Sequence, residues 1–423
     1  MASAACEDAP TYRPRRARES PLYRLTETHH ETFKQLYDER FAGRYGFWRA
    51  EVERTLWAFL DCGIEEHGFA RVRCDECRRE FRVALSCKRR GFCPSCHSKR
   101  SVVWAEWLAT EVLAEVQHRQ WVFTVPKRLR LFFLYDRRLL GDLSRCAWET
   151  VRDLYRAGLG DRIAVPGMVV SIQTYGDLAN WQPHLHALVT EGVLDRQGQF
   201  TPLAVPLAGV AEELFRRRVV RMLVRRGRLE EEAAEGLLAW RHSGFSVHHA
   251  IRVDPCDTQG VERLCRYLVH SPIAVERLRY DGAQATYRGR RVHLVSGEET
   301  VRLDPLEMLA RLCQHIPPPG LHLTRLYGAY ANRTRGARAR RSAGASGRPA
   351  SGDGERDTPT PSQRARRREW ARLIAKVFEV DPLRCPCGAT MRVVAFILDP
   401  EVIRRILQHR PRTEPRAHAP PPG

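Results

Sequence analysis

Two histidines separated by a single residue could hold a metal ion. His184 and His186 lie in the segment PHLH at 183–186. Residues two apart on a β-strand point to the same face, so both imidazoles could bind one divalent cation and leave positions open for a phosphate oxygen. Gln173, at the end of the preceding apolar segment, is a weaker candidate for a third ligand. The alternative is that these histidines only pack or hydrogen-bond, because a His-x-His pair alone is a weak signal.

A tyrosine among basic residues is a candidate nucleophile. Tyr267 follows Arg263 and Arg266 in the segment RLCRY at 263–267. A neighbouring cation lowers the pKa of a phenol and can also hold a phosphate, so the phenolate could attack phosphorus and form a phosphotyrosine. The alternative is an ordinary core or surface tyrosine, which is the more common role for this residue taken alone.

Two C-x-x-C pairs predict a structural zinc site. Cys74 and Cys77 form the first pair and Cys93 and Cys96 the second. This spacing suits four thiolates around one zinc ion, and a site closed by four protein ligands is structural rather than catalytic. Cys87 and His97 are spare ligands near the two pairs. The alternative is a set of buried cysteines without metal.

Basic residues surround the second pair and are candidates for phosphate contacts. They are Lys88, Arg89, Arg90, Lys99 and Arg100. Another pair, Cys385 and Cys387 in the segment CPCG, resembles a shortened knuckle. Because the sequence shows no partner for it, it is interpreted as a degenerate remnant.

Composition favours a nucleic-acid partner and reduced cysteines. The chain has 423 residues, a formal net charge of +20 and 13 cysteines. Such an excess of positive charge favours a polyanion, and DNA is the expected partner. Neither a secretory signal nor a membrane-spanning stretch is expected, which predicts a cytoplasmic protein whose clustered cysteines bind metal.

Apolar periodicity predicts an α+β fold with a central antiparallel sheet. Strands are expected at 121–126, 167–174, 185–189 and 246–253, and helices at 28–70, 128–158, 203–226, 229–240 and 261–268. The expected organisation is a flexible arm at 1–27, a small helical zinc-binding domain at 28–115, an α+β domain at 120–331, a basic disordered linker at 332–368, a short C-terminal module at 369–410 and a disordered tail at 411–423.

The order of these motifs resembles the rolling-circle insertion-sequence transposases of the IS-ninety-one (IS91) family, which are HUH tyrosine endonucleases with an N-terminal zinc-binding domain. The matching segments are CG at 62–63, GFARVRC at 68–74, SCKRRGFCPSC at 86–96, VFTVPK at 122–127, QTYG at 173–176, PHLHAL at 183–188, RLCRY at 263–267, PIA at 272–274 and RLYGAY at 325–330. Together they span most of the chain from about residue 28 to about residue 335.

The resemblance implies a mechanism and roles for individual residues of a bacterial, nucleoid-associated protein. The domain at 120–331 would be the nuclease, with His184 and His186 on one strand and Tyr267 on a helix facing them. His184 and His186 would hold catalytic Mg²⁺ or Mn²⁺, and Tyr267 would attack one strand and stay joined to its 5′ phosphate. Transposition would pass through single-stranded DNA from the ends of the element, which the zinc domain would help to recognise. Unwinding would need a host helicase, because the sequence has no phosphate-binding P-loop motif.

One departure from the family pattern concerns the nucleophile. Family members with two tyrosines carry the second one four residues before the first, and Arg263 stands at that position here. The chain is therefore expected to use one tyrosine on this helix, and Tyr327 and Tyr330 are rival nucleophiles. Two other functions stay open: a non-catalytic zinc-containing DNA-binding protein, and an HUH replication initiator or plasmid relaxase.

Overall fold

The computed structural model describes residues 16–160, 165–195, 197–204, 208–240, 242–289, 299–343 and 383–408. Its α-helices are α1 (Pro21–Arg40), α2 (Ala42–Tyr45), α3 (Ala50–Leu60), α4 (Pro94–Trp107), α5 (Arg130–Tyr135), α6 (Leu139–Leu159), α7 (Ala208–Arg225), α8 (Glu231–Ala239), α9 (Thr258–Leu268), α10 (Pro305–Cys313), α11 (Asn332–Ala343) and α12 (Pro400–Gln408). Short 3₁₀ helices cover Ala17–Glu19, Glu65–His67, Lys127–Leu129 and Val275–Arg277, and a π-helical turn covers Leu108–Val112.

The strands are β1 (Phe69–Cys74), β2 (Glu80–Ala84), β3 (His118–Thr124), β4 (Gly167–Tyr175), β5 (Trp181–Thr190), β6 (Gly192–Leu194), β7 (Phe200–Pro202), β8 (Ser246–His248), β9 (Arg252–Val253), β10 (Leu278–Tyr280), β11 (Ala285–Arg288), β12 (Thr300–Leu303), β13 (Thr324–Gly328) and β14 (Met391–Ile397). The pairings are antiparallel, and helices precede and follow the strands. The fold is α+β, as predicted.

The chain forms two compact units. The smaller unit comprises residues 1–20, 58–87 and 359–423, and the larger comprises 21–57 and 88–358. This division differs from the expected boundaries, because residues 58–87 group with the C-terminal part of the chain. The physical reason is the pairing of β1 with β14, which joins segments distant in sequence.

The larger unit is built on one antiparallel sheet with the strand order β13-β4-β5-β3-β8, and β9 also pairs with β3. β5 lies at its centre and places His184 opposite Gln173 of β4 and Thr124 of β3. Successive residues of a strand point to opposite faces, so His184 and His186 share a face with Leu188. Leu185, Ala187 and Val189 point to the other face.

Each face of the central sheet has its own hydrophobic core. Leu185 and Ala187 belong to the larger core, to which α6 and α7 contribute. Leu188 belongs to the second core, where it packs with Leu264 and Leu268 of α9. The helix that carries Tyr267 therefore covers the sheet face to which the two histidines point.

The helix α9 has a defined start and an amphipathic sequence. The side chain of Asp257 accepts a hydrogen bond from the backbone N–H of Gly260 at 2.7 Å and so caps the first turn. Leu264, Cys265 and Leu268 are its buried residues. Their spacing is that of one helix face, which leaves Tyr267 at the edge of the buried stripe.

The smaller unit contains a three-stranded antiparallel sheet in the order β14-β1-β2. The register runs from Phe69 opposite Ile397 to Cys74 opposite Met391. A small core lies on this sheet; its buried members are Ala70, Val72, Cys74, Val83, Cys385, Met391 and Val393.

Several expected elements differ in extent from those observed. The helix expected at 128–158 is interrupted after Tyr135, where Asp136 accepts hydrogen bonds from the backbone and side chain of Arg138. The strand expected at 246–253 consists of two short strands, β8 and β9. Residues 21–27 belong to α1 rather than to a flexible arm, and residues 332–343 form α11 rather than a disordered linker.

The remaining expectations for the termini and the linker concern residues 1–15, 344–382 and 409–423, which lie outside the described part of the chain. None of the described helices is both long enough and apolar enough to cross a membrane.

Candidate functional site

The two histidines of β5 converge on one point. The Nε2 atoms of His184 and His186 are 3.1 Å apart. Nδ1 of His184 lies 2.8 Å from the carbonyl oxygen of Gln182, to which it can donate its proton, so the lone pair of Nε2 faces His186. The side-chain amide of Gln120 lies 3.1 Å from Nδ1 of His186 and fixes the orientation of that ring. Gln120 was not identified from the sequence, because no local pattern links it to a histidine on the neighbouring strand.

Both imidazoles are held in the neutral form that binds metals. The pKa of His186 is lowered to about 3, mainly by burial and also by the neighbouring His184 and His270. Burial also lowers the pKa of His184, against the opposing effect of its hydrogen bond to Gln182. A neutral imidazole keeps a lone pair for a cation, so the pair satisfies the first requirement of a metal site.

Tyr267 lies beside this pair. Its ring is perpendicular to that of His186, with centroids 5.2 Å apart, and the side chain is 40% exposed. On its other side it stacks on His270, with centroids 5.1 Å apart. The site therefore combines a pair of converging imidazole nitrogens with a phenol that solvent and a large substrate can reach.

Gln173 joins the sheet to the end of α9. Its side-chain nitrogen donates to the carbonyl oxygen of Leu268 at 3.2 Å and lies 3.4 Å from that of Tyr267. The same nitrogen lies 3.2 Å from Nδ1 of His270. These contacts give Gln173 a positioning role for the helix, and its suggested role as a metal ligand stays a prediction.

The rival tyrosines have other partners. Tyr330 is 1% exposed, and its hydroxyl lies 2.6 Å from Nε2 of His118. Burial raises the pKa of Tyr330, which opposes formation of a phenolate. The hydroxyl of Tyr327 lies 2.9 Å from that of Ser144, and its ring stacks on Trp148. Of the three candidates, Tyr267 is the one with a ring contact to the histidine pair.

The two arginines that flank Tyr267 make ion pairs on α9. Arg266 donates to Glu262 at 2.8 Å, and Nη2 of Arg263 lies 3.8 Å from the carboxylate of Asp257. Both guanidinium groups are largely exposed, at 44% and 70% respectively. They stay candidates for phosphate contacts, since exposed ion pairs exchange readily for a polyanion.

A cavity of about 100 Å³ extends from this region toward basic residues of the larger unit. Gln173 and His270 line one part of it, and Arg90 and Arg100 another. His97 also lines it and donates from Nε2 to the carbonyl oxygen of Val269 at 2.7 Å. His97 is thus bonded to the chain just after α9, and its suggested use as a spare zinc ligand stays a prediction.

The predicted grouping of four cysteines is wrong. Cys74 and Cys77 lie in the smaller unit together with Cys385 and Cys387, and the four sulfurs are within 4.8 Å of one another. Cys93 and Cys96 belong to the larger unit, where α4 begins at Pro94. The C-terminal pair, interpreted from the sequence as a remnant, is the partner of the first pair. Because the two pairs are so far apart in sequence, no spacing rule connects them.

The pKa of the Cys77 thiol is lowered within this group. The backbone N–H of Arg79 lowers its pKa to about 7, and hydrogen bonds from the neighbouring cysteines act in the same direction. A thiol with such a pKa is substantially a thiolate near neutral pH, which is the form that binds zinc.

The other predicted contact residues of the basic segment lie in the larger unit. Lys88 and Arg89 are exposed and directly precede Arg90, and Lys99 and Arg100 lie on α4. Lys88 adopts a left-handed backbone conformation with φ of 55°, which turns the chain ahead of α4.

Comparison with known proteins identifies the two parts of the chain. Residues 29–125 match the family described as "Transposase zinc-binding domain", and residues 167–338 match the family described as "Putative transposase". No solved structure matches the chain significantly.

Two curated relatives cover most of the chain. One is the "Transposase for insertion sequence element IS801" of Pseudomonas savastanoi pv. phaseolicola, which is 30% identical over 92% of this chain and 92% of its own length. Another is the "Putative transposase y4qJ" of Sinorhizobium fredii (strain NBRC 101917 / NGR234), which is 25% identical over 70% of this chain and 78% of its own length. With its zinc-binding domain, its transposase domain and this similarity over nearly its whole length, the chain belongs to the IS91 family of insertion-sequence transposases.

Proposed function

We propose that this transposase nicks and rejoins single DNA strands with Tyr267 as the nucleophile and with a divalent cation held by His184 and His186. The observation that carries the proposal is the convergence of the two Nε2 atoms, 3.1 Å apart, beside the ring of Tyr267. A protein that only binds DNA needs no such combination of neutral imidazoles and an accessible phenol.

The histidine pair fits a cation by its donor chemistry. Two imidazole nitrogens at about 2.0–2.1 Å from one ion are separated by about 2.9–3.4 Å in octahedral or tetrahedral geometry, and the observed separation is 3.1 Å. In the structure the amide nitrogen of Gln120 faces Nδ1 of His186 at 3.1 Å. Metal binding through Nε2 requires the amide to present its oxygen instead, which would accept the proton of Nδ1 and leave Nε2 free to bind. Imidazole donors favour Mn²⁺ over Mg²⁺, because Mg²⁺ prefers oxygen ligands.

The proposed reaction conserves the phosphodiester. The phenolate oxygen of Tyr267 attacks the scissile phosphorus, the bond from phosphorus to the 3′ oxygen breaks, and that oxygen leaves as a hydroxyl after taking up a proton. The 5′ phosphate stays bonded to the tyrosine until a second 3′ hydroxyl attacks it and restores the phenol. A cation bound by the two histidines would draw negative charge from the phosphate and so favour attack.

The proposed substrate is the single-stranded end of the mobile element. The accessible face of Tyr267 supports this choice, since an unpaired strand can bring its phosphate to the phenol. We further propose that Arg263 and Arg266 contact the strand beside the tyrosine. A host helicase would separate the strands, and the bacterial nucleoid would be the place of action.

A covalent-adduct assay tests the nuclease proposal. Single-stranded DNA from the ends of the encoding element is incubated with the protein and with Mg²⁺ or Mn²⁺, and the protein–DNA adduct is separated on a denaturing gel. The wild-type protein is expected to form the adduct and Tyr267→Phe to lose it, because the attacking oxygen is absent. Tyr327→Phe removes a hydroxyl from the same unit and is expected to retain the adduct.

The outcomes of this assay separate the candidate functions. An adduct that persists in Tyr267→Phe would mean that another residue is the nucleophile. If the wild-type protein binds the DNA but forms no adduct with either cation, the non-catalytic DNA-binding function is the better description.

A further inference from the structure

We infer that the C-terminal segment 383–408 is an integral part of a zinc module, because Cys385 and Cys387 complete a tetrathiolate site with Cys74 and Cys77. The matched zinc-binding domain ends at residue 125, so the two C-terminal ligands lie far outside it. This inference concerns metal binding in the smaller unit and is independent of the proposed nuclease chemistry.

The sulfur positions suit one tetrahedral ion. The Sγ atoms of Cys77 and Cys385 are 3.4 Å apart, and those of Cys74 and Cys387 are 3.7 Å apart. Four sulfurs at about 2.3 Å from zinc have edges of about 3.8 Å. Both distances greatly exceed the length of a disulfide bond, about 2.05 Å, and the four cysteines are free thiols. The geometry is therefore that of a metal site and not of two disulfides.

Each pair of cysteines is presented by a tight turn. In the first turn, the N–H of Cys74 donates to the carbonyl of Arg79 at 2.9 Å. In the second, the N–H of Cys385 donates to the carbonyl of Ala389 at 2.9 Å. Gly388 in this turn has a φ of 90°, a conformation that other residues rarely adopt. Two facing turns with inward thiols are the usual construction of a zinc ribbon.

The sheet beneath the site brings these turns together. β14 pairs with β1 over its whole length, and the register ends at Cys74 opposite Met391. Arg392 of β14 donates to the carboxylate of Asp75 at 2.6 Å, directly beside the cysteine group. The strand pairing thus fixes the C-terminal turn against the N-terminal one without help from the metal.

The module has reason to need the metal. Its core consists of a few small and medium-sized side chains, and small cores of this kind commonly depend on a metal or a disulfide for stability. Zinc would also close a loop of 308 residues between Cys77 and Cys385, which restricts the unfolded chain strongly. The pairing of β1 with β14 and the metal would together hold the N-terminal and C-terminal segments of the zinc module.

Thiol accessibility gives a test that needs no mutation. Cys77 and Cys387 are exposed, so as free thiols they should react quickly with an alkylating reagent. In the zinc-loaded, full-length protein we expect both to be protected at least tenfold, and to become reactive after zinc is removed with a strong chelator. Cys256 is also exposed but lies outside the group, and it should react equally in both conditions. Mass spectrometry of the alkylated peptides reports each cysteine separately.

Metal content provides the second measurement. The double variant Cys385→Ser with Cys387→Ser is expected to lose one zinc per chain, as is Cys74→Ser with Cys77→Ser, and combining all four substitutions should cause no further loss. Cys256→Ser is the matched control and should retain all the zinc. The inference is overturned if Cys77 and Cys387 react as fast as Cys256 in the zinc-loaded protein, or if the C-terminal double variant keeps the zinc that the N-terminal one loses.

Discussion

At the scale of single residues, the candidate nuclease site depends on the protonation and orientation of a few buried side chains. His184 and His186 can bind a cation only when neutral and with Nε2 unprotonated. Burial provides the first condition, and the hydrogen bond from Nδ1 to the carbonyl of Gln182 provides the second for His184. For His186 the second condition would be met when the amide of Gln120 turns its oxygen toward Nδ1. Local spacing identified the two histidines and Tyr267 only as weak candidates, and the family resemblance was needed to combine them into one predicted site. Spacing could not reveal Gln120, because its contact with His186 arises from the register of β3 and β5.

The role of Gln120 leads to a prediction about metal affinity. Gln120→Ala removes the partner that orients His186, so we expect Mn²⁺ to bind the site about 10–100-fold more weakly. Saturating Mn²⁺ should restore most of the adduct formation. Titration of the adduct yield with Mn²⁺ measures the effect. Gln199→Ala, an exposed position beside β7, is the control and should leave the titration unchanged. An unaltered Mn²⁺ dependence in Gln120→Ala would contradict the proposed orientation of His186.

The buried histidine of β3 predicts how stability depends on pH. Burial lowers the pKa of His118 to about 4, whereas in the unfolded chain it is near the ordinary value of 6.5. The unfolded state therefore binds a proton first as the pH falls, and the stabilisation present above pH 6.5 is lost progressively toward pH 4. Between pH 7.5 and 5.5 the contribution of this one group to the free energy of unfolding should fall by about 1 kcal/mol.

Urea denaturation of wild type and His118→Gln at these two pH values measures this contribution. The variant loses the contact with Tyr330 and should be less stable at pH 7.5, but its stability should depend less on pH. If both proteins lose the same free energy between pH 7.5 and 5.5, His118 is not responsible for the change.

At the scale of elements, the site depends on how α9 is held against the central sheet. Leu264 and Leu268 pack on Leu188, and Gln173 bonds the last turn of the helix to β4. Amphipathic periodicity was enough to predict that a helix carries Tyr267 and that strands carry the histidines. Their mutual placement was expected only from the family resemblance, because periodicity does not specify which face of a sheet a helix covers.

The contacts of Gln173 predict a separation between metal binding and catalysis. Gln173→Leu retains the approximate volume of the side chain but removes the hydrogen bond to the carbonyl of Leu268, so the end of α9 should be held less firmly. We expect the rate of adduct formation at saturating Mn²⁺ to fall about 10-fold, since misplaced catalytic groups react more slowly. The Mn²⁺ concentration for half-maximal yield should change less than threefold. A large loss of Mn²⁺ affinity would instead assign Gln173 as a ligand.

At the scale of the whole molecule, the sequence allowed the family and the type of partner to be predicted. It did not allow us to predict which distant segments of the chain pair with each other. A net charge of +20 and the zinc knuckles pointed to DNA and metal. The pairing of β1 with β14 was not predictable, because short-range patterns carry no information about contacts such as that of Cys74 with Met391, which are 317 residues apart (391 − 74). For the same reason, a C-terminal pair that lacked nearby partners in sequence was taken for a remnant.

If only the net charge mattered, DNA affinity would not depend on where the basic residues lie. The proposed interface instead uses the basic segment Lys88–Arg90, which precedes α4. Each phosphate contact to a single strand contributes about 0.7 to the slope of log K against log salt concentration. Lys88→Ala with Arg89→Ala should therefore reduce the slope for single-stranded DNA by about 1.4. Arg138→Ala with Arg217→Ala removes the same charge from exposed positions that pair with Asp136 and Glu213, and should leave the slope unchanged.

Fluorescence anisotropy between 50 and 300 mM salt, about the range in which such slopes are linear, compares the two variants. Equal slopes for both double variants would mean that binding follows overall charge, and the basic segment would then have no special part in holding the strand.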